Sequence, residues 1–288
     1  MTSERPSSQS VWELVKALVQ EIKEGQLALP VLPRLVEDLQ ATLDDPNRSL
    51  DKIARVVEKD VALAGRLIAV ANSPYYCRQK KSQTVKEAIL RLGETETDHI
   101  VIAVANRSLF KTQHQQFKKL MESLWRHSLA TAHAARLIAE HLNLSQEENY
   151  FFMGLLHDVG KTIILQKLSE MPAFSDSGAL SSQEIVRSMA EAHLSIGGVI
   201  LRKWRFEKNF VRVATLHEGP KFYPPVARAV LIVHLANALT RNIGYTLIPE
   251  SPLDLADLDS ARRLKLSAEV LSAICEKTRT VMAAVEIS

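Results

Sequence analysis

Tyr150-Phe-Phe-Met-Gly-Leu-Leu-His157-Asp158-Val-Gly160-Lys161 sets an apolar run directly against a neighbouring histidine and aspartate. Such a run predicts a buried helix, here ending at Gly160, that delivers the His157-Asp158 pair to the interior. Taking an imidazole and a carboxylate out of water is costly unless they bond each other, the backbone or a metal ion. Neutral imidazole and carboxylate suit Mn, Fe, Zn or Mg. A hydrogen-bonded helix end with Lys161 beside the last carbonyls would satisfy the same residues without a metal.

Outward from this stretch the apolar residues keep helical spacing. No run of Val, Ile, Tyr and Thr alternates with period two, so the expected fold is all-α. Val11, Leu14, Val15, Leu18 and Ile22 form one stripe of a first helix that stops near Gly25, after a polar tail from Met1 to about Ser10 that is expected to be disordered. Pro30 and Pro33 enforce an extended approach to a helix through Leu35, Val36 and Leu39, and Ser49 is placed to cap the next one. Helices are expected at about residues 50–58, 60–72 and 84–92, the last closed by Gly93, and a terminal helix at 267–285. Thr95–Asp98, Ser145–Glu148 and Ser181–Glu184 read as capping boxes. Pro172–Ser182 reads as a surface loop, and the polar stretch Lys111–Lys119 is taken as a domain boundary.

The nine histidines divide by neighbourhood. His127, His193, His217 and His234 are embedded among apolar residues. Any one of them alone is best read as a hydrogen-bonded core histidine; together with His157-Asp158 on successive helices they suggest one shared polar cluster. His99, His114, His133 and His141 stand beside polar or charged neighbours and are read as surface residues.

These positions resemble the histidine and aspartate series of the HD phosphohydrolase superfamily. Leu29-Pro-Val-Leu-Pro33, Asp60–Ile68, Ala71-Asn-Ser-Pro-Tyr-Tyr76, Ala88–Gly93, Trp125-Arg-His-Ser128, Gly154–Lys161 and His193–Trp204 are similar to the signature segments of HDOD, the HD-related output domain of bacterial signalling proteins. The resemblance, over roughly residues 25–245, implies an N-terminal helical bundle packed on an HD-like bundle. It divides the chain into a tail and first helix (1–24), an N-terminal subdomain (25–115), an HD-like subdomain (116–245) and a helical extension (246–288). It also implies a metal site of His127, His157, Asp158, His193, His217 and His234, with Lys161 a contact for phosphate.

Set against the related cyclic-dinucleotide phosphodiesterases, the site is reduced. Leu216-His217 stands for a His-His pair, His234 for a late aspartate and Phe222-Tyr223-Pro224 for Gly-Tyr-Pro. One carboxylate, Asp158, then remains, and a two-metal hydrolytic centre normally needs more negative charge. The resemblance therefore implies a regulatory module working through signalling proteins, with a degenerate site holding a divalent metal (Fe, Mn, Zn or Mg) or none. The alternatives are a metal-dependent phosphohydrolase of nucleotides or cyclic dinucleotides, or a nucleotide sensor without cleavage.

Composition narrows the rest. A chain of 288 residues, 46% hydrophobic and 24% charged, can bury a core and is not a disordered one. The two cysteines, Cys77 and Cys275, make no disulfide framework, and no run of about 18 apolar residues appears, so the expected location is the cytoplasm. A net charge of +3 makes no case for nucleic acid or membrane.

Overall fold

The computed structural model describes residues 8–25, 49–77, 80–144, 147–171, 181–219 and 221–286, and within these it is all-α, without a strand. The expected helix through Leu35, the box at Ser145 and most of the Pro172–Ser182 loop lie outside the described residues. Among the described residues no helix is long and apolar enough to cross a membrane.

The helices in chain order are α1 (Ser8–Lys23), α2 (Leu50–Glu58), α3 (Val61–Ala71), α4 (Val85–Leu92), α5 (Glu94–Asn106), a 3-10 turn (Arg107–Phe110), α6 (Gln115–His141) and α7 (Glu147–Leu156). They continue as α8 (Val159–Glu170), α9 (Ser182–Met189), α10 (Ala192–Lys203), α11 (Lys208–Leu216), α12 (Arg228–Asn242), α13 (Asp259–Leu264) and α14 (Ala268–Glu286). Helix α1 starts at Ser8, inside the span expected to be a tail, and buries Val15, Leu18 and Ile22.

Several starts follow the side-chain chemistry. The Ser49 hydroxyl accepts from Lys52 N at 3.3 Å and Thr84 from Glu87 N at 3.1 Å. At α9 the full box forms: Ser181 Oγ accepts from Glu184 N while Glu184 Oε2 accepts from Ser181 N at 2.9 Å. The box expected at Thr95–Asp98 does not form. Gly93, at φ 80°, both ends α4 and stands before α5, so Thr95 already lies in the first turn and Asp98 is buried.

The 27-residue α6 is the central support. Phe117, Met121, Leu124 and Ile138 bury on it, and Ala130, Ala132, Ala134 and Ala135 leave room for neighbouring backbones. One hydrophobic cluster joins α6 to helices on both sides of the polar stretch after Phe110. Helix α7 comes against α6 at Gly154, where an added Cβ would stand 2.8 Å from Ala132 Cα and 2.9 Å from Thr131 O.

The apolar run is a buried helix as expected, yet it ends at Leu156 rather than Gly160. His157 and Asp158 occupy the corner between α7 and α8, and Gly160 sits in the first turn of α8. Gly160 is required by packing: a Cβ there would fall 2.0 Å from the carbonyl oxygen of His193. Gly160→Ala must push α8 and α10 apart, and urea unfolding should read a loss of about 3 kcal/mol.

Candidate metal centre

Five elements deliver side chains to one buried point. His127 comes from the middle of α6, His157 and Asp158 from the α7–α8 corner, Lys161 from α8, His193 from the start of α10, and His217 with Glu218 from the end of α11. His127, His157, Asp158, His193 and His217 are each at most 2% exposed.

Each ring is held from behind by a backbone carbonyl. His127 Nδ1 lies 2.9 Å from Tyr245 O, His157 Nδ1 2.7 Å from Gly154 O, His193 Nδ1 3.0 Å from Met189 O and His217 Nδ1 3.1 Å from Val213 O. A carbonyl only accepts, so Nδ1 carries a proton in all four rings, and in His127, His193 and His217, which burial keeps neutral, Nε2 presents a bare lone pair.

The four Nε2 atoms converge on Asp158. Oδ2 faces His127 Nε2 at 3.6 Å and His157 Nε2 at 3.4 Å, while Oδ1 faces His193 Nε2 at 3.4 Å and His217 Nε2 at 3.3 Å. His127 Nε2 and His157 Nε2 are themselves 3.3 Å apart. Asp158 thus belongs to two donor groups, one with His127 and His157 and one with His193, His217 and Glu218, and in each the ligand atoms lie within 4.8 Å of one another.

Burial, then the neighbouring His157, pushes His127 down to about 3, and burial followed by Lys161 does the same to His193. Burial also lowers His217. Asp158 is held well below the usual carboxylate range by His157 and Lys161 despite burial, which acts the other way. The ammonium of Lys161, 2.9 Å from Asp158 Oδ2 and 3.3 Å from Glu218 Oε1, is the cation between the two carboxylates, which keep it protonated.

Acceptors facing acceptors in a dry pocket are unfavourable unless something positive stands between them. Among the described residues Asp158 Oδ1, His193 Nε2 and His217 Nε2 have no hydrogen-bond partner. Imidazole and carboxylate donors, with two carboxylates against one ammonium, together fit a divalent cation.

The expected site residues are brought together with one exception. His234 Nδ1 lies 2.8 Å from Ser260 Oγ and its ring packs edge-on to Phe222, so it turns to α13 and joins neither donor group. From the same helix it is Asn237 that lines the cleft above His127, Lys161 and Glu218. The expectation of a single carboxylate is corrected by Glu218, whose Oε1 is 3.6 Å from His193 Nε2 and 3.8 Å from His217 Nε2. The adjacent His217 was the only signal for it, since a glutamate in a loop usually faces water. The cleft has a volume of about 220 Å³, with Arg187 and the ion-paired Arg241 and Glu250 also on its walls.

Two histidines read as surface residues are instead buried: His99 stacks on Phe151 at 4.3 Å and His133 meets the same ring edge-on at 5.1 Å. Residues adjacent in sequence point away from one another on a helix, so their polar neighbours said nothing about the face they occupy. His141 is exposed and His114 half-buried.

A protein of Shewanella amazonensis SB2B, named provisionally a metal-dependent phosphohydrolase, shares the fold with a TM-score of 0.75 and 22% identity, covering 96% of this chain and 99% of that one. A protein of Marinobacter aquaeolei VT8, named provisionally a signal transduction protein, shares it with a TM-score of 0.66 and 16% identity, covering 99% of this chain and 66% of that one. An uncharacterized protein of Treponema pallidum (strain Nichols) is 21% identical over 264 residues, 88% of this chain, and the chain spans about half the length of that curated relative. At these identities the solved structures speak for the fold. The sequence itself matches the HDOD domain over residues 29–220, a span that holds every donor from His127 to Glu218. By that match, which takes in two thirds of its length, the chain belongs to the HDOD domain family.

Proposed function

We infer that this chain is a regulatory module of bacterial signalling whose histidine–aspartate cluster holds a divalent metal ion, and that it acts through contacts with other signalling proteins. The observation that carries the metal is the set of three buried ligand atoms without a partner, Asp158 Oδ1, His193 Nε2 and His217 Nε2, with the imidazole lone pairs only 3.3 and 3.4 Å from the carboxylate. Four imidazoles favour Zn or Fe over Mg. His127, His157 and Asp158 Oδ2 would hold an ion on one side, and His193, His217, Glu218 and Asp158 Oδ1 on the other. The regulatory role is supported by the family and by α12 facing the cleft with Asn237 and Arg241 but no carboxylate.

A second reading, hydrolysis of a nucleotide or cyclic dinucleotide, is favoured by Glu218 as an added carboxylate and by Lys161, Arg187 and Arg241 on the cleft walls. A bound metal would there lower the pKa of water and polarise a phosphoryl oxygen. Lys161 and the two arginines would bind and orient the phosphate. The nucleotide-sensor reading uses the same cations without cleavage.

Metal analysis after anaerobic loading, followed by a turnover screen on nucleotides and cyclic dinucleotides, separates these. The expected result is tightly held Fe or Zn that is lost in Asp158→Ala, with no turnover. Absence of metal after loading overturns the metal assignment. Turnover that vanishes in the His157→Ala/Asp158→Ala double variant makes the module an enzyme.

The neutral rings have a consequence for stability. Burial holds His127, His133 and His193 at about 3 in the folded metal-free protein, against 6.5 when unfolded. At neutral pH both states are deprotonated and these groups contribute nothing. As pH falls from 6.5 towards 3 the unfolded chain takes up protons the folded one refuses, so stability falls by about 1.4 kcal/mol per pH unit for each histidine. Urea unfolding of EDTA-treated protein between about pH 7 and pH 5 reads this slope. A flat profile would contradict the neutral assignment.

A further inference from the structure

A second cavity, of about 310 Å³, lies far from the Asp158 cluster in its chemistry. Its walls are α3, α5, the 3-10 turn, the middle of α6 and the end of α14, and most of them are apolar. Two guanidinium groups reach it, from Arg66 and Arg107. Arg66 donates to Val285 O at 2.7 Å. Arg107 lies over the Trp125 ring, 5.5 Å from its centre, and 3.3 Å from Glu122 at the surface. On the inner wall stands His133, 1% exposed, with neither ring nitrogen hydrogen-bonded among the described residues.

We propose that this cavity is a ligand site for a small organic carboxylate with an apolar body. The size falls at the lower end of small-molecule pockets, and apolar walls with a few convergent polar groups are the usual form of such sites. A buried imidazole left without partners is costly, and a carboxylate accepts from its N–H. The guanidinium pair supplies the counter-charge and the fork geometry a carboxylate fits. One negative charge suits the site better than two, because Glu122 already faces Arg107. Burial and then the nearby Arg107 weaken the Arg66 cation, with Glu122 acting the other way, and an anion between the two guanidinium groups adds to that relief. The apolar body lies against Val104 and Trp125. The occupant would touch helices from both the 25–115 and the 116–245 parts of the chain. It would contact His133, less than two turns along α6 from His127.

The test uses the full chain with anilinonaphthalene sulfonate as a fluorescent apolar anion, displaced by octanoate, octanol or inorganic phosphate. Octanoate should displace the dye saturably and at least about tenfold better than octanol or phosphate, and the advantage should fall about tenfold in Arg107→Gln. Val104→Phe, at the half-buried rim, should abolish dye binding while leaving the circular dichroism unchanged. Displacement should be equal in EDTA-treated and metal-loaded protein. Octanol as effective as octanoate, dye binding unchanged in Val104→Phe, or octanoate binding that appears only with metal would each overturn the proposal. The last outcome would place octanoate at the histidine cluster. Metal binding itself can succeed or fail without touching the first two.

Discussion

The carboxylate of Asp158, fully buried and faced by four imidazole Nε2 atoms, is the constraint around which helices α6 to α11 are organised. A group this costly to bury must be compensated on every side, and the compensation comes from α6, the α7–α8 corner, α8, α10 and α11. Lys161 offers a full positive charge in contact with it. The rings contribute orientation, because each is turned by a carbonyl behind it. Their arrangement is unfavourable as it stands and becomes favourable around a cation, which is the ordinary logic of a preformed metal site.

Close backbone approach is what makes that geometry reachable. Glycine at 154 lets α7 lie against the alanines of α6, and its carbonyl then serves His157. Glycine at 160 lets α8 touch the backbone of His193 itself. The glycines that bring the ligands together are thus as specific to the site as the ligands, although they carry no chemistry.

Much of this was legible in the residues and some was not. Apolar spacing was enough for an all-helical fold, because helices bury one face and leave a periodic record. Local caps were legible where the side chain itself bonds the backbone, as at Ser49 and Ser181, and failed at Thr95 because Gly93 turns the chain earlier. The histidines in apolar segments led to His127, His157, His193 and His217. The same rule lost His99 and His133, whose burial comes from Phe151 on another helix. It also admitted His234, which satisfies itself on Ser260. Glu218 and Asn237 were invisible because their place depends on where α11 ends and how α12 is rotated, which are facts of packing.

The carbonyl that turns His127 belongs to Tyr245, after α12 and beyond the residues that match the family. The same strand of chain is tied down further along, where the side chain of Asn242 pairs with the backbone of Leu253. A fragment trimmed to the matched span would retain every donor of the cluster but lose that carbonyl and the buried face of α12 that packs on α6. The motif the family shares is therefore shorter than the length of chain that fixes its geometry, because the support for His127 comes from beyond residue 220.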